Sequence, residues 1–140
     1  MNQAVVDYLN EKNIKPSIQR IAVMEYLMTN RSHPTADEIY NALSPEMPTL
    51  SKTTVYNTLR LFVEQGAAVT LTIDEKNANF DAETKPHAHF LCKRCCKIYD
   101  LPVNVRKLVN STEIPYNFEV DETSLYVKGI CKECKEQPIA

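Results

Sequence analysis

Two Cys-x-x-Cys turns, Cys92/Cys95 and Cys131/Cys134, limit what this chain can fold into more than anything else in it. Each turn sets two thiolates where one tetrahedral zinc takes both, so a pair of turns closes a four-cysteine site. Residues 96–130 lie between them, a longer insert than a zinc ribbon holds, so a small α/β unit must fold there. A site with four protein ligands has no open coordination position, and its job is structural. The fifth cysteine, Cys96, follows the first turn directly, where a positive φ is often required and glycine would be expected. It is either a reduced non-ligand thiol or a redox-active one.

An odd cysteine count does not suit a disulfide framework. The start, Met1-Asn2-Gln3, lacks a signal peptide's layout, and no apolar run is long enough to span a bilayer. A cytoplasmic location with no membrane partner is therefore expected, and there paired cysteines serve as metal ligands.

The first eighty residues carry helical periodicity. Val5, Val6 and Leu9 suggest a short opening helix, and Pro16-Ser17 begins a second with Ile18, Ile21, Ala22, Met24, Leu27 and Met28 as its buried side. Thr35-Ala36-Asp37-Glu38 reads as a capping box ahead of a face made by Ala36, Ile39, Tyr40 and Leu43, ended by Pro45 and Pro48. Ser51 caps a fourth helix with the stripe Val55, Leu59, Phe62 and Val63, and Gly66 stands where a left-handed terminal residue is wanted. Ala68–Ile73 and Ala78–Phe80 then read as a β-hairpin. Helices followed by a hairpin are the order of a winged helix-turn-helix.

After a polar stretch, Asp81–Pro86, the pattern mixes strands with a helix. His89–Cys92 and Ile98–Leu101 flank the first Cys turn, and Val103–Asn110 can be helical with Val105, Leu108 and Val109 inward. Phe118–Asp121 and Leu125–Ile130 alternate as strands do. The expected fold is α+β: a winged helix-turn-helix domain over 1–80, a hinge at 81–86, and an α/β dimerisation and metal-binding domain over 87–140.

The imidazoles are surplus to a four-cysteine site and suggest a second ion. His87 and His89 form a His-x-His, whose side chains share one face of a strand. The remaining histidine, His33, lies in the loop before the capped helix. It either joins them through domain packing or is simply solvated. Asp81 and Asp100 are the nearest plausible carboxylates, and a mixed imidazole/carboxylate set suits Fe2+, Mn2+ or Zn2+.

The net charge of −2 does not advertise nucleic-acid binding. Any such reading rests on local placement of charge. Opposite the stripe of the fourth helix lie Lys52, Thr53, Tyr56, Asn57 and Arg60, a mixture suited to base edges and phosphates. An ordinary solvated helix face would look similar.

Together these pieces resemble the ferric-uptake-regulator family over essentially the whole chain. The matching motifs are Ile18-Gln19-Arg20, His33-Pro34-Thr35-Ala36-Asp37-Glu38-Ile39-Tyr40, Thr54-Val55-Tyr56-Asn57-Thr58-Leu59, Asn79-Phe80-Asp81, His87-x-His89 and the two Cys turns. The resemblance implies a homodimeric, metal-dependent transcriptional repressor on a palindromic double-stranded DNA operator. It implies one structural Zn2+ per subunit on Cys92, Cys95, Cys131 and Cys134. It also implies one regulatory Fe2+ or Mn2+ per subunit held by His33, Asp81, His87, His89 and Asp100. Tyr56 matches a thymine-contacting residue, and Arg20 one that approaches the DNA backbone or minor groove.

Iron-uptake repressors of the family often carry a His-His-Asp-His run, Glu at the position of Asp100 and Arg at that of Asn57. The run Pro86-His87-Ala88-His89, with Asp100 and Asn57, is more similar to the peroxide-stress branch. That branch implies peroxide-driven oxidation at His33 or His87. Cys96 departs from the family's glycine. The alternative within the family is an iron-responsive repressor. From another class, a zinc-dependent hydrolase would need a nucleophile or general base beside the His/Asp set, and none is evident, so the chain is read as a non-enzyme.

Overall fold

A computed structural model describes residues 2–85, 87–110 and 118–137. The chain falls into two units, Met1–Thr84 and Lys85–Ala140. The first holds four helices, α1 (Gln3–Glu11), α2 (Ile18–Thr29), α3 (Ala36–Leu43) and α4 (Lys52–Glu64), followed by the antiparallel pair β1 (Val69–Leu71) and β2 (Asn79–Asp81).

Local chemistry sets the helix ends. Ser17, Thr35 and Ser51 accept hydrogen bonds from the backbone N–H groups of Arg20, Glu38 and Thr54 at 3.1, 3.2 and 3.1 Å. Each satisfies a donor with no partner inside the helix. At the end of α4 the Ala67 N–H reaches the Phe62 carbonyl and the Gly66 N–H the Val63 carbonyl, a Schellman closure with Gly66 at φ +73. One core joins the helices: Val5, Leu9, Met24, Leu27, Ile39, Val55, Leu59 and Phe62 are all buried. Each such side chain contributes roughly 1.5–3 kcal/mol.

The stripe on α2 differs from the expected one. Ile18 is 74% exposed, while Val23, absent from the expected face, is buried. At about 100° per residue, Ile18 lies nearly opposite the arc formed by Val23, Met24 and Leu27. An apolar residue at the first helical position joined the pattern by spacing alone.

The second unit is a three-stranded sheet of order β4-β3-β5, built from β3 (Ala88–Cys92), β4 (Ile98–Leu101) and β5 (Tyr126–Gly129). β3 pairs antiparallel with β4 and parallel with β5. Helix α5 (Val105–Asn110) lies between β4 and β5 in the chain, and α6 (Lys132–Glu136) follows. Val105 is buried, but Leu108 is 48% exposed, so the inward face expected for that helix is narrower in the single chain. Residues 118–121 pair with no strand among the described residues, and Phe118 is 63% exposed. Alternation makes a segment compatible with a sheet, but only a free edge at the right place makes it a strand. Met1, Pro86, residues 111–117 and residues 138–140, included in the expected domains and hinge, lie outside the described residues. Asp81, read from the sequence as the start of the connector, closes β2.

Candidate metal centres

The two Cys turns meet in the second unit. Cys92 ends β3, Cys95 closes the turn after it, Cys131 immediately precedes α6 and Cys134 lies in that helix's first turn. The helix start at the second turn was not expected from the sequence. The four sulfurs lie within 4.8 Å of one another, and Cys95 Sγ is 3.9 Å from Cys131 Sγ. That is far beyond a disulfide bond and close to the edge, about 3.8 Å, of a tetrahedron with Zn–S near 2.3 Å.

The protein prepares this site unequally. The backbone N–H groups of Cys131 and Cys95 point at Cys92 Sγ and pull its thiol down to about 5. Cys131 is lowered in turn by the Cys134 backbone N–H. Cys134 is pushed up to about 12, first by its hydrogen bond with Cys131 and then by desolvation. Four thiols at this spacing cannot all ionise against one another, and a divalent cation removes the conflict. The donor set and geometry fit structural zinc. Arg94 also bridges the turns, donating from Nη1 to the Cys134 carbonyl at 2.6 Å. Cys96 sits at φ +63, the left-handed conformation expected there.

The histidines and aspartates form a group in each unit. In the second, the β3–β4 register sets His89 opposite Asp100. His87 Nε2 and His89 Nε2 approach the same atom, Asp100 Oδ1, at 3.2 and 3.4 Å, with the rings 4.3 Å apart. Lys85's carbonyl, which can only accept, lies 2.8 Å from His87 Nδ1. An Nδ1–H donated to it would leave the Nε2 lone pair to act as a metal ligand beside Asp100. In the first unit His33 Nε2 lies 3.4 Å from Asp81 Oδ2, both side chains buried, with Arg31 3.7 Å from Asp81 Oδ1. His33 has φ +60, which costs a non-glycine residue roughly 1–2 kcal/mol. Backbone strain of this kind persists where surrounding contacts hold it. Imidazole nitrogens gathered around carboxylate oxygens are a donor set that fits a divalent first-row ion.

On α4, Lys52, Thr53, Tyr56, Asn57 and Arg60 are exposed while Val55, Leu59 and Phe62 are buried. The Tyr56 hydroxyl donates to Asp37 Oδ1 at 3.3 Å, and Asp37's charge raises the phenol above its usual value. Arg20, on α2, donates to the Lys15 carbonyl at 2.9 Å. It lines a groove of about 560 Å³ with Lys15, Ser17, Gln19, Thr54 and Asn57. Lys15, in the segment before α2, and Gln19, on α2, line this groove, and Asp37, on α3, meets Tyr56, because α2 and α3 pack against α4.

The sequence profile described as the ferric uptake regulator family matches residues 11–128. The peroxide-responsive repressor PerR of Staphylococcus epidermidis is 38% identical over 130 residues, covering 92% of this chain and 87% of that protein. The structure of PerR from Streptococcus pyogenes, described as a basis for peroxide sensing and gene regulation, superposes with a TM-score of 0.52 at 31% identity. It covers 94% of this chain and 90% of that one. The Helicobacter pylori ferric uptake regulator Fur matches in fold, with a TM-score of 0.74 at 19% identity over 96% of this chain and 94% of that one. With its winged helix-turn-helix, four-cysteine centre and His/Asp groups, this chain belongs to the ferric uptake regulator family.

Proposed function

We propose that this protein is a metal-dependent transcriptional repressor that senses peroxide. The observation that carries the reading is the convergence of His87 and His89 on one oxygen of Asp100, while His33 and Asp81 form a second ligand pair in the first unit. A single ion taking ligands from both groups would tie the two units together through the polar connector after Asp81. The 38% identity to a peroxide-responsive repressor supports peroxide as the signal.

In this reading α4 enters the major groove of a palindromic operator with Tyr56 and Asn57 at base edges, and Lys52, Thr53 and Arg60 nearer the backbone. Arg20 and its groove meet the adjacent phosphates or minor groove. Two subunits present two such helices, and the ligand set in each fixes how far apart they stand. A homodimer is supported by the apolar side chains that the second unit leaves exposed, among them Leu108, Phe118, Val120 and Val127. Such a repressor works in the cytoplasm. Among the described residues no helix is long and apolar enough to cross a membrane.

Fe2+ held by these imidazoles and carboxylates would supply the redox chemistry that activates peroxide beside them. In this reading His33 or His87 takes the oxygen: the O–O bond breaks, a ring C–H becomes C–OH with the ring giving up both electrons, and the other peroxide oxygen leaves as water. An oxidised imidazole is a poorer donor, so the ligand set fails and operator binding is lost. The test loads the protein with Fe2+ or Mn2+ and follows operator binding and peptide masses after peroxide. Fe2+ protein should gain one oxygen on a peptide carrying His33 or His87 and release DNA, while Mn2+ protein should do neither. Release governed by Fe2+ concentration with unmodified histidines would make the protein an iron-responsive repressor instead.

A further inference from the structure

Of the sequence Asn79-Phe80-Asp81, the ligand set uses only the last residue. The structure gives the whole strand a task within the first unit, because each residue of β2 grips the loop before α3. Asn79 Nδ2 donates to the His33 carbonyl at 2.8 Å, a buried bond across 46 residues of sequence. The Phe80 N–H donates to the Pro34 carbonyl at 2.9 Å, and Asn79 forms an isolated β-bridge with Thr35. Asp81 then meets His33 Nε2. Between these contacts His33 is held at φ +60.

We propose that Asn79 is a positioning residue for His33. Its amide anchors the His33 carbonyl and keeps the residue in the left-handed conformation that aims the imidazole at Asp81. Ligand and anchor are then fixed by one short strand, so the spacing of His33 and Asp81 is set before any ion arrives. The chemistry requires a short neutral donor at this position. Alanine leaves the buried carbonyl without the bond, and aspartate keeps the shape but turns a carboxylate oxygen toward the carbonyl and adds charge near Asp81. Residues that orient a ligand from behind affect metal affinity without touching the ion.

This inference rests on the peroxide-sensing reading for one of its two readouts. The experiment compares full-length, zinc-loaded wild type with Asn79→Ala and the isosteric Asn79→Asp, using zinc content and thermal melting to establish folding. Mn2+ affinity is measured by titration. Separately, after Fe2+ loading and peroxide, the added oxygen is apportioned between the peptides carrying His33 and His87. Both variants should bind Mn2+ about 10-fold more weakly, and the oxygen should shift from His33 toward His87. A general loss of packing would lower both oxidised products together and leave their ratio alone. If Asn79→Ala does not fold, Asn79→Asp, which keeps the volume, carries the test. Wild-type affinity and an unchanged ratio in a folded variant overturn the proposal, as does an affinity loss in Asn79→Ala that Asn79→Asp does not share. If wild type gains oxygen on neither histidine, the peroxide reading fails, and Mn2+ affinity still decides the role of Asn79.

Discussion

Cys96 shows how much a single residue's backbone can reveal. Its φ of +63 follows the tight turn at Cys92–Cys95, where the Cys96 N–H returns to the Cys92 carbonyl at 2.9 Å. The left-handed conformation costs a side-chain-bearing residue about 1–2 kcal/mol, and glycine escapes it at an added unfolded-state entropy of about 0.4–1 kcal/mol. Cys96→Gly in zinc-loaded protein should therefore gain about 0.5–1 kcal/mol in chemical denaturation. Cys96→Ala should gain nothing, and equal behaviour of the two would mean the turn holds no strain. The need for φ > 0 was legible because Cys-x-x-Cys turns have fixed local geometry. His33 has a similar conformation with no local signal, since the contacts that hold it come from β2.

Among the elements, α4 combines the strongest sequence signals with the most direct functional consequence. Ser51 at its start, the stripe Val55–Leu59–Phe62 and Gly66 at its end were all legible, because caps and a 3.6-residue period act within a few residues. A Cβ at Gly66 would meet nothing within 4 Å, so Gly66→Ala tests the backbone alone. It should cost about 1 kcal/mol in thermal unfolding with operator affinity unchanged at temperatures where the protein stays folded. A much larger loss would point to a steric role that the open space does not explain. The same reasoning by period misplaced Ile18, and alternation misplaced 118–121. Period says which residues share a face, but not which face another element will cover.

At the scale of the molecule, two kinds of donor divide the work. The sulfurs of Cys92, Cys95, Cys131 and Cys134 form a closed set that stabilises the second unit, since metal binding at such a site is folding free energy. The imidazole and carboxylate groups hold an exchangeable ion in the proposed function. Cys92→Ser should lower zinc content to near zero and impair folding or dimerisation, as judged by circular dichroism and sedimentation. His89→Ala should retain zinc and a folded dimer yet lose metal-dependent operator binding. Identical defects in the two variants would sink the division. By itself the sequence determined the fold class, the four-cysteine set and the exposed face of α4, because turn spacing and helical period are local, whereas His33 entered the candidate ligand set only through the family resemblance. Only the tertiary structure decided that Asp100 faces both His87 and His89, that Asp81 meets His33, and that Asn79 anchors the His33 loop. Those meetings depend on the β3–β4 register and on the docking of β2, which join residues too far apart in sequence for any local pattern to encode.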